Sequence, residues 1–323
     1  MAATLTSERY EVETIDDAIE LYFEKGWSDG LPVVPPTEDK VLAFLAAGGW
    51  EPGEIVGSMP QRARTVTAEK VAVNAVMAGC KSEYAPVVFT AVEALLSPDH
   101  NANGANASTG GSGPFIVVNG PIAREIGMNT GHNLLGQGTR ANATIGRAVR
   151  LVLYNCCANI PGVFDRSTLG HPGKYTYCVA EQEGEMAWAP LHVERGLPPG
   201  TNAVTVLAAE GPHQVGNGHS NDPEGLILTY ADVLASGIPT VGYYGVIISP
   251  EHRAVFEREG WDKRRIREAI AQEAYRTYGE LERRGQRPRG GDVGQADEKY
   301  FLIRDPDHLL VIAGGGEGAG WGA

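Results

Sequence analysis

Between residues 100 and 222 the chain is punctuated by Gly and Asn, from His100-Asn101-Ala102-Asn103-Gly104 to Gly218-His219-Ser220-Asn221-Asp222, so elements inside this stretch are short and joined by corners. Gly permits positive φ and close approach of backbone to a ligand, and Asn supplies both donors and acceptors. The same stretch holds six of the eight histidines and three of the four cysteines. Histidine titrates or binds metals near neutral pH. The pattern predicts an α/β fold, a mixed sheet with flanking helices, in which Gly/Asn-rich loops form a central small-molecule site.

A chain of 323 residues makes one large α/β domain or two of ordinary size. The predicted division is an N-terminal helical arm with an extended Pro-rich segment over 1–66 and an α/β core over 67–323, or a core of two lobes meeting near 160–222. No stretch approaches the roughly 20 apolar residues that span a bilayer. The N-terminal residues Met1 to Arg9 carry neither a basic nor an apolar signal region, which predicts a cytoplasmic protein. With 27 basic against 40 acidic residues the net charge is −13, which disfavours nucleic acid and anionic membranes as partners. Self-association as a homo-oligomer is expected. Cys80, Cys156, Cys157 and Cys178 show no CxxC spacing, and the vicinal pair is a poor disulfide candidate, so each is expected as a reduced, buried small hydrophobe.

Local signals place most elements. Thr14 as cap, acidic Asp16 and Asp17 in the first turn, and apolar Ile15, Ile19, Tyr22 and Phe23 at helical spacing predict a helix ending at Gly26. Three prolines between Trp27 and Thr37 impose an extended path, with Asp29 beside Gly30. Helices are predicted over 67–80, 84–96 and 141–150, a buried strand at Phe115-Ile116-Val117-Val118, and a strand at 175–178 placing Tyr175 and Tyr177 on one face. Further on, the sequence predicts a helix over 223–236, strands over 240–248, 299–304 and 308–313, a helix from Pro250, a long helix from Asp262 to Arg284, an Arg/Gly-rich loop at 285–294 and a turn at Gly314 to Gly318.

Three groups of residues point to chemistry. The corner Gly131 to Arg140 opens a helix, whose N-terminal amides with Gly136, Gly138, Thr139, Arg140 and Asn142 suit an anion. Asn103 and Asn106 are further candidates for substrate contacts. Neither a dinucleotide fingerprint nor a P-loop is present. His171, Lys174 and Tyr175 form a predicted loop mouth where a buried Lys transfers protons. Candidate catalytic residues are His132, Cys80, His192, Lys174 and Tyr175. On a strand His192 and Glu194 would share a face, and with His213 and His219 they form a candidate set for a divalent ion, zinc or iron.

The strings 27–37, 73–80, 119–127, Arg140-Ala141-Asn142-Ala143-Thr144-Ile145-Gly146-Arg147 and His192-Val193-Glu194-Arg195-Gly196 resemble those of a bacterial family. Members are associated with a small redox domain bearing a UGSC or CGSC motif, similar to selenium-dependent reductase subunits. This chain has no Cys-Gly-Ser-Cys, so the resemblance implies a separate thiol or selenol redox subunit as partner. No catalytic residue is carried over from it. Two functional classes follow: an enzyme, or the substrate-binding subunit of one, cleaving or reducing a small anionic substrate with lyase- or reductase-like chemistry; and a metal-dependent hydrolase or lyase. A noncatalytic anion-binding protein is the third reading.

Overall fold

The computed structural model describes residues 4–184, 187–288, 291–318 and 320–323. Residues 1–3 of the N-terminal segment and 289–290 of the expected Arg/Gly-rich loop lie outside them. The fold is α/β, with helices around mixed sheets. The chain divides into two units, the first comprising residues 1–129, 135–180 and 200–211, the second 130–134, 181–199 and 212–323.

In the first unit, α1 (Ile15–Glu24) starts where Thr14 caps the Asp17 amide and Asp17 returns a bond to the Thr14 amide, a reciprocal box written in four adjacent residues. The Pro-rich segment after it is held by Arg147, which forks onto Asp29 at 2.8 and 2.9 Å and also donates to the Leu31 and Pro32 carbonyls. Helix α2 (Glu38–Gly48) and the hairpin β1 (Ile55–Met59) with β2 (Arg64–Thr67) follow. Val33, Phe44, Leu45, Val56 and Met59 lie in the same apolar core as α3 (Ala68–Ala78) and α4 (Ala85–Leu96), so the N-terminal stretch is part of this unit's body.

After α5 (Ala102–Ala107), strand β3 (Gly113–Asn119) is buried along its whole length. It leads through α6 (Pro121–Glu125) to α7 (Arg140–Cys156). Strand β3 is the centre of a three-stranded sheet, parallel to β4 (Cys178–Ala180) and antiparallel to β5 (Ala203–Ala209). The strand expected at 175–178 is therefore mostly absent: Pro172 starts a 3-10 turn through Lys174, and pairing begins only at Cys178.

The second unit has its own core, built from α9 (Pro223–Ser236), α10 (Pro250–Arg258) and α11 (Lys263–Glu273) against the strands. Its main sheet places β10 (Leu309–Ala313) parallel to β7 (Tyr244–Ile248), then β11 (Trp321–Gly322) and β6 (Val215–Gly216) antiparallel. Strands β8 (Tyr275–Thr277) and β9 (Lys299–Phe301) form a separate pair. Two expectations need correction. The single helix from Asp262 to Arg284 is broken, because Ala274 leaves helical geometry, Tyr275 to Thr277 pair as a strand, and Thr277 with Glu280 caps a fresh helix, α12 (Tyr278–Arg283). Residues 191–194 form a helical turn, α8 (Leu191–Glu194), rather than a strand, because the Glu181 carboxylate captures the Leu191 amide at 2.7 Å. Among the described residues no helix is long and apolar enough to cross a membrane.

Helix α7 lies against the segment leading into β4 so closely that a Cβ on Gly146 would fall 2.7 Å from the Tyr177 amide nitrogen. Thr176 Oγ1 donates to the Ala143 carbonyl at 2.8 Å at the same place. An exposed helical Gly→Ala change gains about 1 kcal/mol. Gly146→Ala should instead destabilise by roughly 1–3 kcal/mol through overpacking, measured by urea unfolding.

Candidate functional site

Helix α7 sets the site in the first unit through Arg150, a cation inside the run Ala148-Val149-Arg150-Leu151-Val152-Leu153 and only 7% exposed. Its Nε donates to the Lys174 carbonyl at 2.8 Å and Nη1 to Asn106 Oδ1 at 3.1 Å. Nη2 lies 3.7 Å from Asp165 Oδ2. Asp165 is itself buried and accepts from Lys174 Nζ at 2.6 Å, from the Ser167 amide at 3.2 Å and from Ser167 Oγ at 2.5 Å. Lys174 Nζ also donates to Ser167 Oγ at 2.5 Å. A third cation, Arg62, joins through Asn159: Nη1 donates to Asn159 Oδ1 at 3.3 Å, and Asn159 Nδ2 reaches Asp165 Oδ2 at 3.4 Å.

Three cationic side chains thus share one carboxylate. Arg62 is 9% exposed, its Nε bonds Asn103 Oδ1 at 2.8 Å, and its plane lies over the Phe164 ring at 4.6 Å. Its remaining nitrogen, Nη2, is buried without a hydrogen-bond partner. Buried donors are nearly always paired, so an unmet guanidinium nitrogen beside surplus positive charge is what an anion would complete.

The protonation states follow from burial and partners. Burial lowers the Lys174 ammonium below the ordinary lysine range despite its Asp165 bond, with Arg150 lowering it further. Burial alone would raise the Asp165 carboxyl, but hydrogen bonds from Lys174 and Ser167 outweigh it and hold Asp165 below the ordinary carboxylate range. His171 is also lowered, chiefly by burial, with Lys174 and Arg150 adding to the effect against the Ala209 carbonyl. Its Nδ1 accepts from the Gly173 amide at 3.2 Å. A neutral imidazole and a destabilised ammonium therefore stand at the two ends of one 3-10 turn.

Of the residues singled out from sequence, Asn103, Asn106 and Lys174 come together here, with His171 beside them. Tyr175 does not join them; it is 50% exposed at the end of the 3-10 turn. The expected anion corner is also not assembled as a clamp. Arg140 Nε donates to the Gly79 carbonyl at 2.9 Å, Thr139 makes no side-chain cap, and Asn142 is bonded reciprocally to the Asn129 backbone at 2.8 and 3.1 Å. Asp165, Ser167, Arg62 and Arg150 were not singled out as site residues. The available signal was Arg150, a charge at a position where helical periodicity demands an apolar side chain.

The remaining candidates are dispersed. Cys80 is buried, donates its S–H to the Thr144 carbonyl at 3.3 Å, and is pushed up to about 12 by burial, the reverse of what an attacking thiolate needs. Burial likewise pushes Cys156 up to about 12, Cys157 up to about 11, and Cys178 higher still. His132 is exposed on a loop of the second unit. His192 and Glu194 sit two apart on α8, and residues at that spacing do not face each other on a helix. His213 and His219 are exposed, and among the described residues no three His, Cys, Asp or Glu side chains converge as a metal set.

The second unit has a charge cluster of a different kind. Glu181 accepts from Lys263 Nζ at 2.5 Å, the Leu191 amide at 2.7 Å and the Ala313 amide at 3.2 Å. Glu194 takes Arg267 at 2.7 Å and lies 3.6 Å from Lys263. Two carboxylates balance two cations, which is what a structural tie requires. A cleft of about 490 Å³ in the same unit is lined by Glu268, Gln272, Tyr278, Lys299, Tyr300 and Arg304. Its cations are already engaged, Lys299 over Tyr275 and Arg304 with Asp292, and it gathers none of the residues selected from sequence.

The chain matches no family model, no curated protein and no solved structure.

Two outcomes test these assignments. Because the Asp165 carboxyl is held low, the stability it contributes is complete above its unfolded value of about 3.9 and is lost as pH falls through its lower folded value. Asp165→Asn should flatten the acid limb of stability between roughly pH 2 and 5, measured by urea unfolding. The four thiols should resist iodoacetamide in the native protein at about pH 8 and react only after unfolding, measured by mass spectrometry of labelled peptides.

Proposed function

We propose that this chain is an enzyme, or the substrate-binding subunit of one, that takes a small organic anion into the Arg62–Arg150–Lys174 cluster of the first unit. The observation that carries this reading is the unmet, buried Arg62 Nη2 in a cluster where three cations share the single Asp165 carboxylate. With Nε held by Asn103 and Nη1 by the Cys157 carbonyl and Asn159, one carboxylate oxygen would accept from Nη2, and the Phe164 ring against Arg62 offers an apolar face for the rest of the substrate.

Each residue has a part in this account. Arg62 receives the anion; Asn103, Asn106 and Asn159 hold the two guanidiniums in place. Asp165 fixes Lys174 beside Ser167. Lys174, made easier to deprotonate by burial, supplies or takes the proton in a bond cleavage, and neutral His171 is the complementary base. A reductive version would draw its electrons from a separate thiol or selenol subunit, since burial holds this chain's own cysteines in the thiol form.

Small carboxylates screened by thermal shift and then by calorimetry should include binders whose affinity falls at least about tenfold in Arg62→Gln, the loss of one charge-assisted bond. Lys174→Ala should cost roughly 3–5 kcal/mol of stability by leaving Asp165 short of its main partner. Carboxylate affinity unchanged by Arg62→Gln would contradict the reading.

A further inference from the structure

The second unit carries a separate arrangement at the carboxyl ends of its parallel strands. Strands β7 and β10 end side by side, Ile248 paired with Ala313. Ligands of open α/β sheets bind beyond such ends, where the chain turns from strand into loop or helix. From Ile248 the chain passes through Ser249 into α10, a helix of nine residues. From Ala313 it passes into Gly314-Gly315-Gly316.

Ser249 occupies the N-cap position of α10, yet its side chain makes no capping bond. The residue is only 7% exposed, and its Oγ is buried without any hydrogen-bond partner. A hydroxyl at a cap position normally accepts from an amide of the first turn. Here it has been taken out of water and left unmet. In the first turn of α10 Pro250 has no N–H and the Arg253 amide donates to the Ser249 carbonyl at 2.9 Å, so the Glu251 and His252 amides are the ones without an intrahelical acceptor.

The glycine loop is fixed beside it. The Gly314 amide donates to the Ile248 carbonyl at 3.1 Å and the Gly315 amide to the Thr130 carbonyl at 3.0 Å. A Cβ on Gly315 would lie 3.7 Å from Ser249 Cβ, so the loop backbone runs next to the hydroxyl. His132 packs against Gly316 where a side chain would overlap its ring, which makes glycine necessary there. Glu251 in the first turn places one carboxylate oxygen on the Gly318 amide, and its other oxygen is buried without a partner. The Gly318 amide therefore already holds an internal carboxylate, while the Gly314 and Gly315 amides are spent on backbone carbonyls.

We propose that Ser249, the first turn of α10 and the Gly314–Gly316 loop form a site for a tetrahedral phosphate dianion, free or as a small phosphomonoester. One phosphate oxygen accepts from Ser249 Oγ, and others accept from the Glu251 and His252 amides, where the helix dipole favours negative charge. Glu251 opposes a second anion at this end of the helix and so limits the affinity. The site is independent of the Arg62 cluster, since every residue in it belongs to the second unit.

Equilibrium dialysis with radiolabelled inorganic phosphate, repeated with methyl phosphate as competitor, tests the site in wild type, Ser249→Ala, Ser249→Asp, Glu251→Gln and Arg62→Gln. Ser249→Ala should weaken binding at least about tenfold while leaving the melting temperature unchanged, because Oγ bonds nothing in the protein. Ser249→Asp should abolish binding, Glu251→Gln should tighten it severalfold, and Arg62→Gln should leave this binding intact. Competition by methyl phosphate at similar concentration assigns the site to phosphomonoesters, and its absence to the free ion. Phosphate binding indifferent to both Ser249 substitutions, or no binding at millimolar phosphate in Arg62→Gln, would overturn the proposal. Loss in Ser249→Ala with small-carboxylate affinity indifferent to Arg62→Gln would uphold it and reject the first-unit reading instead.

Discussion

The Asp165 carboxylate is the constraint on which the first unit's polar interior depends. It is 5% exposed, and without it the buried Arg150 and the partly buried Lys174 would lose the carboxylate they share, and buried Arg62 the one it reaches through Asn159. A buried charge is tolerated only when it is paired and hydrogen bonded. Asp165 meets that requirement for Lys174 and Arg150, and through Asn159 it reaches Arg62. Because α7 supplies Arg150, and α7 also packs on α3 and β4, the apolar core and the polar cluster fix each other's position.

The second unit solves the same problem to a different end. Glu181 joins Lys263 of α11 to the start of α8 and the end of β10. With Glu194 and Arg267 added, its charges cancel. Breaking such a cluster is costly, and although Arg267 Nε and Glu194 Oε2 are also buried without a hydrogen-bond partner, the cluster carries no surplus charge for a ligand to neutralise. Charge balance separates the two: a balanced network holds a fold together, whereas a network with surplus cation is poised to accept an anion.

Local chemistry was legible in the sequence and remote pairing was not. The box at Thr14 and Asp17 and the cap at Asp222 before Pro223 are written within a few residues, and α1 and α9 begin where those signals place them. The Thr277–Glu280 box is equally local and starts α12, where a single helix from Asp262 to Arg284 would have run through β8. By contrast, α8 exists because Glu181 reaches an amide ten residues away, a contact that the alternation of His192 and Glu194 does not encode. The site followed the same rule. The Gly/Asn stretch contributed Asn103, Asn106 and Lys174, but Arg62 meets Asn159 across 97 residues, and Arg150 meets Asn106 across 44.

The measurement that tests the account most directly is the titration of Lys174 followed by NMR of ¹³Cε-labelled lysine, assigned with Lys174→Arg, without and with a small carboxylate ligand. Lys174 should titrate below the ordinary lysine value of about 10.4 in the free protein and move upward when an anion enters the cluster. A Lys174 that titrates at the ordinary value and does not respond to any carboxylate would contradict both the buried, cation-rich cluster and its role as an anion site.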